Sequence, residues 1–305
     1  MLELPETGFH RSVTTHNVRL DALSDWIECS VAFICTSVSA SDVTDILQEN
    51  GVYKDRDFAM QRVEDAWLEL DRRLGSVDEG IPFEIKRGSI RRIANWTETP
   101  SYSFCLILSL LRWSPGWFGL PSGDYQIHGE LFERMTAESL EALGWRALHT
   151  GWAGTRIKDI QETVQSIADH LNEPVILGQV GRWTTPRAKD AGLDVVCAYP
   201  FADGAGGRPL YLVQCATGKN WPDKVGTPNL GVWRKLIDFS NSPIRGFALP
   251  FCLDQDEFRQ TCCTIDGLML DRYRLVDGEP GWESAALTRD LIRWTRPHVK
   301  NLPAY

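Results

Sequence analysis

The chain has 305 residues, is 43% hydrophobic and 24% charged, and carries a net charge of -9. This is the composition of a soluble globular protein with room for one large domain or two smaller ones. The negative balance argues against a protein that coats nucleic acid without regard to sequence. Twelve Trp and twelve Phe imply a substantial core. The most apolar stretch, Phe104 to Trp113, is too short to span a bilayer. No basic segment followed by an apolar run opens the chain, so the expected location is the cytoplasm, with no membrane partner. The eight cysteines include no CxxC pair, and Cys262 and Cys263 are adjacent. Buried, reduced thiols are therefore expected rather than zinc ligands.

The first 30 residues lack clear periodicity. Asp42 to Asn50 reads as a short helix capped by Ser41 or Asp42. Asp55 to Leu74 reads as a helix with Phe58, Val63, Trp67 and Leu70 near one face, stopped by Gly75. Ile81 to Ile93 reads as a hairpin turning at Lys86-Arg87-Gly88. Pro100 opens a helix apolar on most sides, expected to be central and buried. The Pro- and Gly-rich stretch Trp113 to Asp124 predicts a domain boundary near residue 120. Helices follow at Glu130 to Leu143 and Thr155 to Leu171, with a strand at Pro174 to Gly181. Asp194 to Tyr199 and Leu210 to Cys215 form a hairpin around Asp203, Gly204, Gly206 and Gly207. A helix at Leu230 to Phe239, a strand at Ile244 to Phe251, a helix at Asp254 to Thr261, a strand within Gly267 to Val276 and a helix at Ser284 to Trp294 complete the order. The predicted fold is mixed α/β: a mostly helical region over 1–120, then a mixed sheet flanked by helices over 121–305. Asp271-Arg272 reads as an internal ion pair.

The hairpin holds polar residues that a strand core has no packing reason to keep. Asp194 opens one strand and Gln214 lies in the other. Residues 182–245 carry nine Lys/Arg and five Asp/Glu, against -9 for the whole chain, which favours an anionic ligand there. Gly204-Ala205-Gly206-Gly207 joins two strands, so it is a hairpin loop rather than a phosphate cradle. Thr217-Gly218-Lys219-Asn220-Trp221 suits either a phosphate and base contact or a Trp packed under the turn. A thiol nucleophile at Cys215 would need His149 or His170 as its base, and neither has a supporting motif. The spacing of His10 and His16 reads as chance.

Three short segments carry a family resemblance. Gly129-Glu130-Leu131-Phe132-Glu133 opens a helix running to Leu143-Gly144-Trp145. Lys189-Asp190-Ala191-Gly192-Leu193-Asp194-Val195-Val196 reads as D-x-G-x-D-hydrophobic. Leu212-Val213-Gln214-Cys215 reads as the strand of a (D/E/Q)-x-K element. In this order they resemble the PD-(D/E)XK nuclease superfamily, and within it the Mrr-like restriction endonucleases, over roughly residues 125–275. The resemblance implies a restriction-endonuclease-like domain that hydrolyses DNA phosphodiesters with Mg2+ or Mn2+ in prokaryotic anti-phage defence. RNA stays open as the substrate.

Asp194, Gln214 and Glu133 are then the implied metal ligands, with Glu130 one turn earlier as the alternative helix carboxylate. A divalent cation held this way polarises a phosphate oxygen and activates water, and a lysine beside that water stabilises developing charge. The lysine position is Ala216, so Lys219 is the implied catalytic replacement, with Lys224 and Lys189 as further candidates. Ala216 also supports a second reading, a catalytically degenerate nuclease fold serving as a nucleic-acid-binding or assembly module. In either case the acidic N-terminal part is expected to dock a partner subunit or a second copy.

Overall fold

The computed structural model describes residues 1–9, 18–75, 77, 80–119, 124–150, 160–176, 178, 192–278 and 281–305. His10, His16 and Lys189, the start of the helix expected from Thr155, and most of the strand expected at 174–181 lie outside these residues.

The N-terminal region is mainly helical. Helix α1, Leu20–Cys29, continues into a π-helical turn at Ser30–Ile34. Periodicity misses α1 because its polar residues are buried with its apolar ones: Asp21, Ser24, Asp25 and Glu28 all face protein. Helix α2, Ala40–Glu49, is capped by Ser39, which forms a capping box with Asp42. Helix α3, Arg56–Leu74, is capped by Asp55 and buries Val63, Trp67 and Leu70, whereas Phe58 lies exposed. The expected hairpin is present as β2, Phe83–Lys86, and β3, Ser89–Arg92. Its turn places Arg87 at φ 52° and Gly88 at φ 74°, the left-handed pair that a two-residue turn requires. Strand β1, Ser37–Ser39, completes a small antiparallel sheet in the order β1-β3-β2. Helix α4, Pro100–Trp113, is buried on nearly every side.

The second half builds a five-stranded sheet. Helix α5, Asp124–Ala142, leads to β4, Arg146–His149, and then helix α6, Ile160–Leu171. Strands β5, Val195–Ala198, and β6, Leu210–Cys215, form the expected hairpin. Strands β7, Ile244–Ala248, and β8, Gly267–Leu270, follow in the order β4-β5-β6-β7-β8. The first two pairings are antiparallel and the last two parallel, so the sheet is mixed. Val195, Cys197, Val213 and Cys215 face the core cluster that holds Phe132 of α5. Val196, Ala198, Leu210 and Leu212 face α6 and Trp233 on the other side.

Four elements differ from expectation. The helix expected at 230–239 stops after α7, Leu230–Trp233. Beyond it, Ile237 pairs with Val175, and the Leu236 carbonyl accepts from the Ile176 N–H, so tertiary pairing takes the backbone that the helix needed. Helix α8, Gln255–Ile265, runs on past Thr261. Strand β8 is followed by helix α9, Arg272–Val276, which Asp271 caps by accepting from the Arg274 N–H at 3.0 Å. Asp271 is thus a helix cap, and the expected pairing with Arg272 gives way to other partners. The last helix, α10, Ala285–Lys300, is capped by Ser284 and runs past Trp294.

One hydrophobic cluster takes Trp26, Leu106 and Ile107 from the first 120 residues and Phe132, Val213 and Leu291 from the rest. At its centre is a buried charge network. Arg73 Nη1 reaches Asp25 at 3.0 Å and Glu28 at 2.9 Å, and Arg272 Nη2 reaches the same two at 3.1 and 2.6 Å. All four side chains are fully buried. Tyr102 and Tyr273 hydroxyls donate to Glu28 at 2.6 and 3.1 Å, and Trp113 Nε1 donates to Asp25 at 3.1 Å. Burial pushes the Asp25 pKa up, but the fields of Arg272 and Arg73 and the Trp113 bond outweigh it and hold the carboxyl below its ordinary value.

Candidate functional site

One edge of the large sheet brings together two of the predicted site residues, Asp194 and Gln214, while Glu133 pairs with His149 and Lys219 lies on an exposed turn. Strands β4, β6, β7 and β8 all end there, and β5 begins there, because β5 alone runs the other way. His149 ends β4, Asp194 precedes β5, and Gln214 and Cys215 end β6. The carboxyl edge of parallel strands is where open α/β sheets hold ligands.

Asp194 and Gln214 meet directly, at 5% and 7% exposure. The Gln214 side-chain N–H group donates to Asp194 Oδ2. The same nitrogen donates to the Cys215 carbonyl at 2.9 Å, and the Cys215 backbone N–H donates to Asp194 Oδ2 at 2.6 Å. A carboxylate oxygen and a backbone carbonyl oxygen therefore converge on one point, which the Gln214 nitrogen occupies. The Thr227 hydroxyl donates to Gln214 Oε1 at 3.1 Å and lies 2.6 Å from the Lys224 carbonyl oxygen, so the 224–227 turn folds back over the pair.

Gly192 supplies the room for this closure. Its φ is +72°, and a Cβ there would stand 2.8 Å from the Thr227 Cβ and 2.9 Å from Gln214 Oε1. Only glycine meets both demands without strain.

Glu133 stands on the α5 side of the sheet and bonds His149 Nε2 at 2.8 Å. Both carboxylates act on the Cys215 thiol. Burial raises its thiol pKa well above the usual range, and Asp194 and Glu133 add to the rise. A Thr136 hydrogen bond and the Lys224 charge act the other way. Such a thiol stays protonated, which removes the chemical basis for a Cys215 nucleophile. His149 is drawn to Glu133, and burial lowers the pKa of His170, which lies 3.3 Å from the Arg146 carbonyl.

Ala216 is 1% exposed and packs in a cluster with Trp221, Phe247, Leu249 and Phe251. A lysine stem there would enter that cluster. Trp221 is buried under the turn, the packing alternative of the two that the sequence left open. Lys219 is exposed on the same turn, whereas Lys224 is half-buried and its charge is felt at Cys215. Glu130 instead lines a separate cleft between α5 and α10, with Phe118 and His298. Thr227 had no sequence signal, because it reaches the site only through the fold of its loop. His149 had one, its place at the end of the strand that follows Leu143-Gly144-Trp145.

Among the described residues, no group of three or more His, Cys, Asp or Glu gathers as a metal-ligand cluster. The oxygens at the Asp194 locus are one carboxylate, one backbone carbonyl and, after rotation of its amide, the Gln214 carbonyl. This hard-oxygen set fits a divalent cation that keeps several waters, and does not fit zinc. Comparison with family models, characterised proteins and solved structures returns no match.

Proposed function

We propose that the chain is a metal-dependent nuclease that hydrolyses DNA phosphodiesters at the Asp194 edge of the sheet, in the setting of prokaryotic anti-phage defence. The observation that carries this reading is the convergence of Asp194 Oδ2 and the Cys215 carbonyl on one point at the carboxyl edge of β6. Asp194, the Cys215 carbonyl and a rotated Gln214 amide would hold Mg2+ or Mn2+ there. Glu133 approaches from the α5 side, oriented by His149. The bound cation would supply a Lewis acid for the phosphate and an activated water. Lys224, rather than exposed Lys219, is the better placed cation to stabilise charge that develops at this edge. The proposed partners are DNA and, for the acidic N-terminal part, a second subunit or copy.

A second reading has its own observation. Ala216 is packed where a lysine would be needed, and the Gln214 nitrogen already fills the point between the two oxygens. This favours a nuclease-like fold that binds nucleic acid or assembles a complex without cutting. Incubation with plasmid and linear DNA in Mg2+ or Mn2+ separates the two. Cleavage that vanishes in Asp194→Ala and falls in Lys224→Ala, with Lys219→Ala near wild type, supports the nuclease. Cleavage that survives Asp194→Ala refutes the site. DNA binding without cleavage at any metal concentration favours the module.

A further inference from the structure

We infer that α10 carries a docking surface for the phosphodiester backbone of nucleic acid, built from Arg289, Arg293, Arg296 and Lys300. It deepens the nuclease reading, which names the same class of partner.

The four residues stand at i, i+4, i+7 and i+11 of one helix, so they share a face. At about 1.5 Å of rise per residue the row is about 16 Å long. All four are exposed. The opposite face of α10 buries Leu287, Leu291, Trp294 and Thr295 in the core. Asp290 is the helix's one acid, and its carboxylate is shared among Arg134, Arg289 and Arg293. Among the described residues, neither Arg296 nor Lys300 has an ion-pair partner. This is a second basic locality in a chain of net charge -9, outside the 182–245 segment that composition singles out.

The arrangement costs stability. Like charges at i,i+3 and i,i+4 each weaken a helix by a few tenths of a kcal/mol, and Pro297 interrupts its interior. A polyanion lying along the face offsets the repulsion. Ile292 and Pro297 join the four basic residues around a shallow cleft of about 490 Å3.

Three features select nucleic acid among polyanions. The apolar face of α10 is already buried, so the helix cannot lie in a lipid surface by the usual route. Three of the four cations are Arg, whose planar fork matches phosphate. One DNA strand presents a charge about every 3.4 Å, so the row faces about five phosphates. An acidic protein surface would look instead for a central apolar anchor, and this face offers only Ile292 and Pro297. Helix α10 also packs against α5, the helix that carries Glu133.

The test is binding of a short mixed-sequence DNA duplex in EDTA, followed by fluorescence anisotropy at several salt concentrations. Arg293→Ala/Arg296→Ala is expected to weaken binding at least tenfold at low salt and to lower the slope of log K against log salt by about two. Arg289→Gln/Lys300→Gln, a second pair that guards against the first having disturbed the helix, should weaken binding and lower the slope in the same way. Unchanged affinity and slope in both double variants overturns the proposal. So does displacement of the duplex by polyglutamate at equal charge, or tighter binding to phosphatidylserine vesicles than to DNA. Loss of binding in the arginine variants without Asp194-dependent cleavage keeps the stripe and removes the catalytic reading. Asp194-dependent cleavage with binding indifferent to these residues does the reverse.

Discussion

The core and the edge of the large sheet both bury carboxylates, and the two are treated differently. Asp25 and Glu28 lie in the core between α1, α3, α4 and α9, gripped by two guanidinium groups, two phenols and an indole. Asp194 lies at a sheet edge, where the Gln214 side-chain amide and the Cys215 backbone amide both donate to its Oδ2. The first site is closed by rigid, long side chains from distant parts of the chain. The second is closed by one rotatable amide and a turn that folds back through Thr227. A network that draws residues from positions 25 to 273 locks tertiary structure. The pair at the sheet edge ties two neighbouring strands and one turn, a local closure.

Breaking the core network should give the largest effect. Arg272→Ala leaves Asp25 and Glu28 buried with half their cationic partners, and should cost about 3–5 kcal/mol in urea denaturation. A loss under about 1 kcal/mol would mean that the network does not hold the two halves together. Asp194→Asn keeps an acceptor for the Cys215 N–H, so its stability should stay within about 1 kcal/mol of wild type. Metal-dependent cleavage should fall at least 100-fold, about 2.7 kcal/mol of barrier. A large stability loss with cleavage intact would invert the comparison. Gly192→Ala should cost about 1–3 kcal/mol, since the new Cβ meets Thr227 and Gln214 in a left-handed backbone. A crystal structure of that variant with the Gln214–Thr227 bond intact would show that the glycine is not what closes the turn.

The smallest effect is the acid response. Asp25 is held below its ordinary value by Arg272 and Arg73 against the effect of burial, and Glu69 by the Arg72 and Arg73 bonds, again against burial. Their stabilisation is complete above the unfolded carboxyl value of about 4 and is lost as pH falls through the depressed folded values. Asp271 works in the opposite sense, since burial raises its pKa. Its contribution is present at low pH and is lost as pH rises through the folded value. Asp271→Asn, which keeps the helix cap, should therefore make the acid loss of stability steeper. A denaturation midpoint that rises between pH 5 and pH 3 in the wild type would contradict this assignment.

Much of the fold was legible where local chemistry is strong. Helix α3, the Arg87-Gly88 turn, the mostly apolar α4 and the β5–β6 hairpin follow from side-chain periodicity and turn residues that act over a few positions. Helix α1 was hidden, because an amphipathic pattern vanishes when acidic residues are buried with their partners. The truncated α7 and the conversion of 272–276 from strand to helix were equally hidden, since pairing with Val175 and capping by Asp271 decided them. At the site, Asp194 and Gln214 were legible as polar residues out of place in strands. Their direct bond and the turning of Glu133 to His149 were not.

The sequence by itself determined the mixed α/β class and the β5–β6 hairpin with its out-of-place Asp194 and Gln214, because those depend on spacing along the chain. The tertiary structure alone decided which acids join the core network and which stands at a sheet edge. That distinction depends on which groups from remote segments meet each carboxylate, and no local pattern encodes that meeting: Arg73 and Arg272 close over Asp25 and Glu28, while the 224–227 turn closes over Gln214 and Asp194.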